Sequence, residues 1–221
     1  MVGSAVSPLD RVPHLVATHF VTVLKAGSTF LRMLMSLPDA ADLMSKHDLR
    51  SLTLGAFCAE PVNEAVHQFA TQNLTPNYIN CYWATEHGGI VFGVEYLAGR
   101  AMVPDARTWA LPWVEADVMV ESDDGSWRVA ADGEQGDIVI CNRMPYSALT
   151  VWASAGYGSP GWQGEAKRWR SYFHTQPGAR GDLMFLQGDS ARRLHDGGYK
   201  FSGRTDEVIN VGGNRIGTGE I

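Results

Sequence analysis

Residues 82–89 bring together side chains suited to binding a nucleotide and a metal ion. An aromatic ring (Tyr82), a hydroxyl (Thr85) and a carboxylate (Glu86) are followed by two glycines. A ring can stack on a base, and a hydroxyl can donate to a phosphate oxygen. A carboxylate oxygen suits Mg²⁺, and glycine lets the backbone approach a ligand closely. The stretch follows an apolar run and is therefore expected at the C-terminal end of a strand, where open α/β sheets bind ligands.

A second stretch, residues 188–218, contains a carboxylate and a guanidinium group that could complete such a site. Asp189 could accept hydrogen bonds from two ribose hydroxyls, and Arg204 could donate to phosphate or sugar oxygens. Each feature also has an ordinary structural interpretation: a turn acid, an arginine in an ion pair, or a buried Tyr82–Trp83 pair. Residue types and spacing leave both interpretations open.

Other motifs, the net charge and the cysteines limit the classes of protein to which this sequence could belong. The glycines of residues 156–161 match GxGxxG, but Pro160 and the absence of a following helical pattern favour a loop. No GxSxG, HExxH or Walker-type motif occurs. The 221 residues carry a net charge of −6, which argues against nucleic-acid binding. Three scattered cysteines (Cys58, Cys81 and Cys141) indicate reduced thiols in a cytoplasmic protein, and no signal peptide or membrane span is expected.

The first half of the chain alternates between strand and helix patterns. Residues 21–24, 52–57 and 78–83 are apolar and predict strands, and helices are expected from Ser28, which would cap the first turn, and after Pro61, with Asn63 near the start. This order favours a parallel sheet covered by helices.

The second half has the pattern of an antiparallel β-structure. Residues 118–120, 127–129 and 137–141 predict short strands separated by Asp- and Gly-containing turns, as in a β-meander or small barrel. Residues 153–181 predict a long surface connection. Residues 192–194 and 199–201 predict a hairpin that turns at residues 196–198.

At residues 60–61, 78–89 and 188–221 the sequence resembles the adenylate-forming enzymes, and among them the AMP-forming acetyl-CoA and propionyl-CoA synthetases. The resemblance covers nearly the whole chain, beginning with residues 21–35 and 46–52, and extends to the synthetase portion of propionyl-CoA synthase, a larger fusion enzyme. It implies an α/β fold in which residues 1–113 form the α/β part of a large adenylation domain. Residues 114–205 would be its β-barrel-like part, and residues 206–221 the hinge and the start of a C-terminal domain.

The resemblance also implies a role for individual residues. Glu60 and Pro61 would lie against adenine, with Tyr82 stacked on its face. Thr85 would hold the α-phosphate and Glu86 the Mg²⁺, while Asp189 would bind both ribose hydroxyls beside Arg204. Asp206 falls at the position of the family's hinge, and Gly213 and Arg215 fall where the family contacts CoA.

Trp83 bears on substrate size. Relatives that use longer acids often have glycine at this position, whereas short-chain synthetases have tryptophan, so the indole would leave room for only two or three carbons. The alternative is a core tryptophan that faces away from the ligand. Six positions depart from the usual short-chain pattern, which leaves the exact acid open: Ala59, Asn80, Ala84, His87, Gly212 and Asn214.

The implied function is a two-step ligase that uses ATP, Mg²⁺ and CoA to activate a small carboxylic acid, with release of AMP and pyrophosphate. The family's triphosphate-gripping loop is expected upstream of Met1 and its adenylation lysine beyond Ile221, so the isolated chain is expected to be inactive. Two alternatives remain: an enzyme that loads a carrier protein, and a non-catalytic nucleotide-binding fragment. Neither nucleic-acid nor membrane partners are expected, and the parent protein could carry further catalytic domains.

Overall fold

The computed structural model describes residues 10–57, 60–94, 102–174, 184–207, 209–211 and 214–216. These residues form two compact units. The first unit contains the described residues up to Cys81 and those of Val94–Arg107. The second contains Tyr82–Gly93 and the described residues from Thr108 onward. The predicted division after residue 113 refers to domains of the intact protein and stays a prediction.

The first unit is a parallel sheet packed with helices, as the alternating pattern predicts. Its elements are α1 (Arg11–His19), β1 (Val23–Ala26), α2 (Ser28–Met35), α3 (Ala40–Ser45), β2 (Leu54–Phe57), α4 (Glu64–Asn73) and β3 (Tyr78–Asn80). The strands are parallel in the order β1-β2-β3. Strand β1 begins two residues later than predicted, and β2 is shorter than predicted.

Helices α2 and α4 pack their apolar faces into the core of the first unit. Leu31 and Leu34 of α2 have no exposed surface, and neither do Val66 and Ala70 of α4. Their spacing of three or four residues places each pair on one helix face. Each fully buried Leu or Val contributes about 1.5–3 kcal/mol relative to exposure. The predicted start of α4 is confirmed, because the Asn63 side chain accepts a hydrogen bond from Val66 N at 2.9 Å.

The expected capping role of Ser28 is wrong. Gly27 occupies the N-cap position of α2, and Ser28 is the first helical residue. Its hydroxyl donates to Glu60 Oε2 at 2.8 Å instead. Glu60 also accepts from the backbone N–H of Thr29 at 2.8 Å. A carboxylate from a distant part of the chain therefore satisfies the N-terminus of this helix.

The predicted strand at residues 78–83 is two strands in different sheets. Strand β3 pairs with β2, whereas β4 (Tyr82–Trp83) begins the second unit and pairs antiparallel with β5 (Ile90–Gly93). The 3₁₀ turn Thr85–His87 lies between β4 and β5, and β6 (Trp109–Ala110) completes a three-stranded sheet. Residues 82–87 therefore lie on an antiparallel hairpin rather than at the end of a parallel strand.

The remainder of the second unit is antiparallel. Its elements are β7 (Ala116–Glu121), β8 (Trp127–Val129), β9 (Gln135–Ile140), α5 (Ala166–Ser171), β10 (Phe173–His174), β11 (Met184–Arg193), β12 (Tyr199–Arg204), the 3₁₀ turn Thr205–Glu207, β13 (Ile209–Val211) and β14 (Asn214–Ile216). Strand order is β8-β7-β9-β11, with β10 and β12 pairing with opposite ends of β11, so it is not that of a simple meander. Strands β13 and β14 form a separate hairpin.

The second unit contains the predicted hairpin and one helix that the sequence pattern did not predict. The predicted hairpin is β11–β12, whose turn is closed by Leu194 N donating to Gly198 O at 2.8 Å. The connection from residue 153 includes α5, which was not predicted, and residues 175–183 lie outside the described part of the chain. Residues 156–161 form turns and do not begin a helix, as expected.

Neither Cys81 nor Cys141 is in a disulfide, and Cys58 lies outside the described residues. No described helix has the length and apolar character needed to cross a bilayer.

Candidate functional site

A bulge in β11 places Gln187, Gly188 and Asp189. Along β9 the pairing moves by two residues, from Val139 to Asp137, while along β11 it moves by four, from Leu186 to Ser190. Extra residues in one strand bend it and redirect its side chains, and such bulges are frequent beside functional sites. Gly188 has a φ of +85°, a conformation that glycine adopts without steric cost. Gly188 and Asp189, which begin the second stretch identified in the sequence, therefore occupy an irregular segment of a central strand.

Asp189 and Tyr82 form a buried polar pair. The Tyr82 hydroxyl donates to Asp189 Oδ2 at 2.5 Å, and each residue is 7% exposed. Burial raises the pKa of Asp189, whereas the hydrogen bond from Tyr82 and the charge of Arg204 act to lower it. Burial, followed by the nearby Asp189 charge, raises the pKa of Tyr82 well above its ordinary value, so the phenol stays protonated and acts as the donor.

Three neighbouring rings pack against the Tyr82 ring. The ring centroids of Phe92, Phe201 and His87 lie 5.3–5.5 Å from that of Tyr82. These contacts fix the position of the phenol hydroxyl. The ring assigned to adenine stacking is thus largely occupied by packing within the second unit.

Arg204 lies beside Asp189 and connects to two further groups. Its Nη1 is 3.5 Å from Asp189 Oδ1 and donates to the backbone oxygen of Gln187 at 2.9 Å. Its Nε donates to Asp206 Oδ1 at 3.1 Å. The Arg204 side chain is 41% exposed, so a cation is available to an incoming anionic ligand next to a buried carboxylate.

Among the described residues, two uncharged donors hold Glu86. The Gln187 side-chain amide donates to Glu86 Oε2 at 2.7 Å, and the Tyr172 hydroxyl donates to Oε1 at 3.4 Å. Neither donor neutralises the carboxylate, which can therefore still bind a cation. Among the described residues no three His, Cys, Asp or Glu side chains cluster as a preformed metal site. One carboxylate still fits Mg²⁺, which binds proteins through one or two carboxylates together with ligand phosphates and water.

The rest of the residue 82–89 motif lies on the β4–β5 hairpin. Trp83 is half-buried in β4, and Thr85 is exposed at the start of the 3₁₀ turn. Gly88 follows with a φ of +78°, and a Cβ there would lie 1.9 Å from Tyr146 O. This position therefore requires glycine for both conformation and space.

The remaining predicted residues fall in other parts of the structure. Glu60 and Pro61 belong to the first unit, where Glu60 binds the N-terminus of α2. The hydrogen bond from the Thr29 hydroxyl is the largest effect that lowers the pKa of Glu60. Arg215 lies in β14, and Gly213 lies outside the described residues. The structure thus connects Tyr82, Asp189, Arg204, Asp206 and Glu86 within the second unit.

Gln187 and Tyr172 were missed by sequence reasoning. Both reach Glu86 from positions 101 and 86 residues away. No local pattern distinguishes them, although Gln187 stands only two residues before Asp189.

A cavity of about 420 Å³ adjoins Glu86 and His87. Trp169, Phe173 and Phe185 form an aromatic wall, with centroid separations of 5.1–6.0 Å. His87 is 2% exposed, and its Nδ1 is buried with no hydrogen-bond partner among the residues that the structure describes. This cavity gives Glu86 an open approach from one side.

Comparison with known proteins identifies the family. A protein-family model described as AMP-binding enzyme matches residues 1–146, which is more than half of the chain. The chain belongs to the AMP-binding enzyme family. Tyr82, Thr85 and Glu86 lie inside the matched segment, whereas Asp189 and Arg204 follow it.

Curated relatives of this AMP-binding chain include acetyl-coenzyme A synthetases. The protein from Caulobacter vibrioides is 31% identical over 217 residues, which cover 96% of this chain and 30% of that protein. The protein from Chlorobaculum tepidum is 29% identical over 218 residues, with 96% and 29% coverage. The chain therefore spans about 30% of the length of these relatives.

A solved structure shares the fold of this AMP-binding chain. The anthranilate CoA ligase AuaEII, solved in complex with anthranoyl-AMP, superposes with a TM-score of 0.72 at 20% identity. The match covers 100% of this chain and 37% of the ligase. Together with the sheets described above, it confirms the predicted α/β class and a partial adenylate-forming fold.

Proposed function

We propose that the chain is part of an AMP-forming acyl-CoA synthetase that activates a short carboxylic acid. The observation that carries this proposal is the buried Tyr82–Asp189 pair beside the half-exposed Arg204, joined through Gln187 to Glu86. A carboxylate for hydroxyl groups, a cation for phosphate and a second carboxylate for a metal form one connected set. Acetyl-coenzyme A synthetases among the relatives support the same reaction.

Each residue of this set has a chemical role in the proposed site. Asp189 accepts hydrogen bonds from the ribose hydroxyls, and Arg204 donates to ribose and phosphate oxygens. The Thr85 hydroxyl donates to the α-phosphate. Glu86 provides an oxygen ligand for Mg²⁺, which when bound offsets phosphate charge. The adenine contacts implied for Tyr82, Glu60 and Pro61 stay predictions.

The first half-reaction forms an acyl-adenylate. A carboxylate oxygen of the acid attacks the α-phosphorus of ATP, the bond between the α-phosphorus and the bridging oxygen breaks, and pyrophosphate leaves. Thr85 and Arg204 stabilise the charge that develops on the α-phosphate oxygens. This is electrostatic preorganisation by fixed donors, which requires no covalent enzyme intermediate.

The second half-reaction transfers the acyl group to CoA. The CoA thiolate attacks the adenylate carbonyl, and AMP leaves with the bonding electrons on its phosphate oxygen. Asp206 is the proposed hinge between the two half-reactions; it is 72% exposed on the 3₁₀ turn that follows β12. Gly213 and Arg215 are the proposed CoA contacts. A conformational step of this kind commonly separates chemical steps in enzymes.

The test is carboxylate-dependent exchange between ATP and labelled pyrophosphate in the intact parent protein, with acetate, propionate, acrylate and 3-hydroxypropionate as acids. We expect exchange with at least one of these acids and its loss in Asp189→Ala. Supplying CoA or a carrier-protein thiol then separates the proposal from the carrier-loading alternative. AMP binding without exchange by any acid would leave a non-catalytic nucleotide-binding protein and would overturn the proposal.

A further inference from the structure

The Tyr82 hydroxyl is held in one position by the packing of its ring. The phenol lies on the two-residue strand β4, its ring is packed by Phe92, Phe201 and His87, and it is 7% exposed. A ring held in this way cannot turn its hydroxyl to another partner without disrupting the core. The 2.5 Å hydrogen bond to Asp189 is therefore built into the packing of the second unit.

Asp189 needs a hydrogen-bond donor because it is buried at an interruption in the sheet. It follows Gly188 in the bulge of β11, where the ladder with β9 is interrupted, and it is 7% exposed. Tyr82 binds Oδ2, while Oδ1 faces Arg204 Nη1 at 3.5 Å, which is longer than an ordinary hydrogen bond. The short contact on Oδ2 thus sets the plane of the carboxylate and leaves Oδ1 on the side of the exposed cation.

We propose that the Tyr82 hydroxyl is a positioning group that orients the Asp189 carboxylate toward the two ribose hydroxyls of a nucleotide. This role is separate from any contact of the Tyr82 ring with adenine, and it rests on the proposed function. A rigid donor on one carboxylate oxygen reduces the ordering that the ligand must impose when it binds. It also favours the ionised form of the buried carboxylate, since a hydrogen bond to the charged form stabilises that form.

The experiment compares two ligands and three proteins. Isothermal titration calorimetry measures binding of AMP and of 2′,3′-dideoxy-AMP to the wild-type chain, Tyr82→Phe and Tyr199→Phe. Phenylalanine keeps the ring and removes only the hydroxyl. Tyr199 is the matched control because it is also 7% exposed and stacks on Phe92 at 5.0 Å, but its hydroxyl donates to the backbone oxygen of Ala116 at 3.3 Å. Thermal melts establish that all three proteins are folded.

We expect Tyr82→Phe to weaken AMP binding about tenfold, the effect of losing a charge-assisted hydrogen bond, and to leave dideoxy-AMP binding unchanged. Tyr199→Phe should leave both affinities unchanged. An equal loss for both ligands in Tyr82→Phe would overturn the inference, because the hydroxyl would then act on adenine or on the fold. Equal wild-type affinity for the two ligands would also overturn it, while leaving nucleotide binding intact. Wild-type binding of neither ligand would instead count against the proposed function.

A second measurement tests the positioning contact without a ligand. Carbon-13 NMR of the Asp189 carboxyl gives its pKa in each protein. We expect this pKa to rise in Tyr82→Phe, where the donor is lost, and to stay at its wild-type value in Tyr199→Phe. An unchanged pKa in Tyr82→Phe would show that the hydroxyl does not support the carboxylate.

Discussion

Gln187 links two charged side chains through different atoms. Its side-chain amide donates to Glu86, and its backbone oxygen accepts from Arg204. The bulge in β11 makes this possible, because it places Gln187 and Asp189 within one irregular segment. Gln187 therefore couples the position of the proposed metal ligand to that of the proposed ribose site.

Replacing Gln187 by leucine removes one donor from Glu86 with little change in volume. Loss of a hydrogen bond to a metal-binding side chain typically lowers metal affinity about 10–100-fold. We expect Gln187→Leu to require about tenfold more Mg²⁺ for ATP binding, with AMP binding in the absence of Mg²⁺ unchanged. Titration of Mg²⁺ at fixed ATP measures this effect. Gln135→Leu is the control, since that amide donates to Ser190 Oγ. Identical Mg²⁺ titrations for both variants would contradict the prediction.

Substitution of Trp83 tests the proposed limit on the length of the carboxylic acid. The side chain is half-buried beside Tyr82, and its indole Nε1 is buried. We expect Trp83→Gly to shift the parent enzyme toward longer acids, because each methylene that finds space changes discrimination by about 1–3 kcal/mol. Exchange rates across a series from acetate to hexanoate measure this shift. Trp152→Gly, at a 60% exposed loop residue, should keep the wild-type order. An unchanged order in Trp83→Gly would support a core tryptophan that faces away from the acid.

Strands β2 and β3 pack closely where Gly55 lies beside the ring of Tyr78. Gly55 of β2 pairs with Tyr78 of β3, and a Cβ at residue 55 would lie 2.2 Å from the Tyr78 ring. Tyr78 has no exposed surface, so the ring has little room to move. Glycine at this position lets the aromatic ring cover the backbone of the neighbouring strand.

Gly55→Ala should lower the free energy of unfolding by about 1–3 kcal/mol, the usual effect of overpacking a core. Chemical denaturation followed by circular dichroism measures the change. Repeating the substitution in a Tyr78→Ala background isolates the clash, because the added methyl group would then have space. An equal loss in both backgrounds would assign the effect to the backbone of β2 instead.

The elements also show what the sequence can and cannot predict. The parallel strands, α2 and α4 follow from local apolar patterns and from the Asn63 cap. The break between β3 and β4 does not, because residues 78–83 contain no glycine or proline, and only pairing with β2 or β5 separates them. Helix α5 has six residues, too few to show a clear periodicity. Residue types made Tyr82, Glu86, Asp189 and Arg204 candidates and the family resemblance gave them roles, whereas Gln187 and Tyr172 become evident only from long-range contacts.

For the whole molecule, buried histidines link stability to pH. Burial lowers the pKa of His87 in the second unit from 6.5 to about 4. Burial also lowers the pKa of His67 in the first unit, where Nδ1 accepts from Ala106 N at 2.9 Å. Both folded histidines therefore stay neutral at a pH where the unfolded chain binds protons. Their contribution to stability is present above pH 6.5 and is lost as the pH falls toward the folded pKa.

Between about pH 7 and pH 5, the wild-type chain should lose about 2 kcal/mol more stability than His87→Leu, because leucine cannot titrate. Urea denaturation at each pH gives the two free energies of unfolding. Gln135→Leu, which removes an amide that does not titrate, should retain the wild-type pH dependence. Parallel pH profiles for the wild type and His87→Leu would contradict the prediction.

The path of the chain between the two units constrains how its gene can be divided. It passes from the first unit to the second after Cys81, returns after Gly93 and leaves again after Arg107. A polypeptide that starts at Thr108 would retain Asp189 and Arg204 but lose β4 and β5, and with them Tyr82 and Glu86. One that stops at Gly93 would separate Glu86 from Gln187. A single start or stop codon therefore cannot deliver either unit free of residues from the other, and a rearrangement that preserves the site must keep Tyr82–Gly93 together with the chain from Thr108 onward.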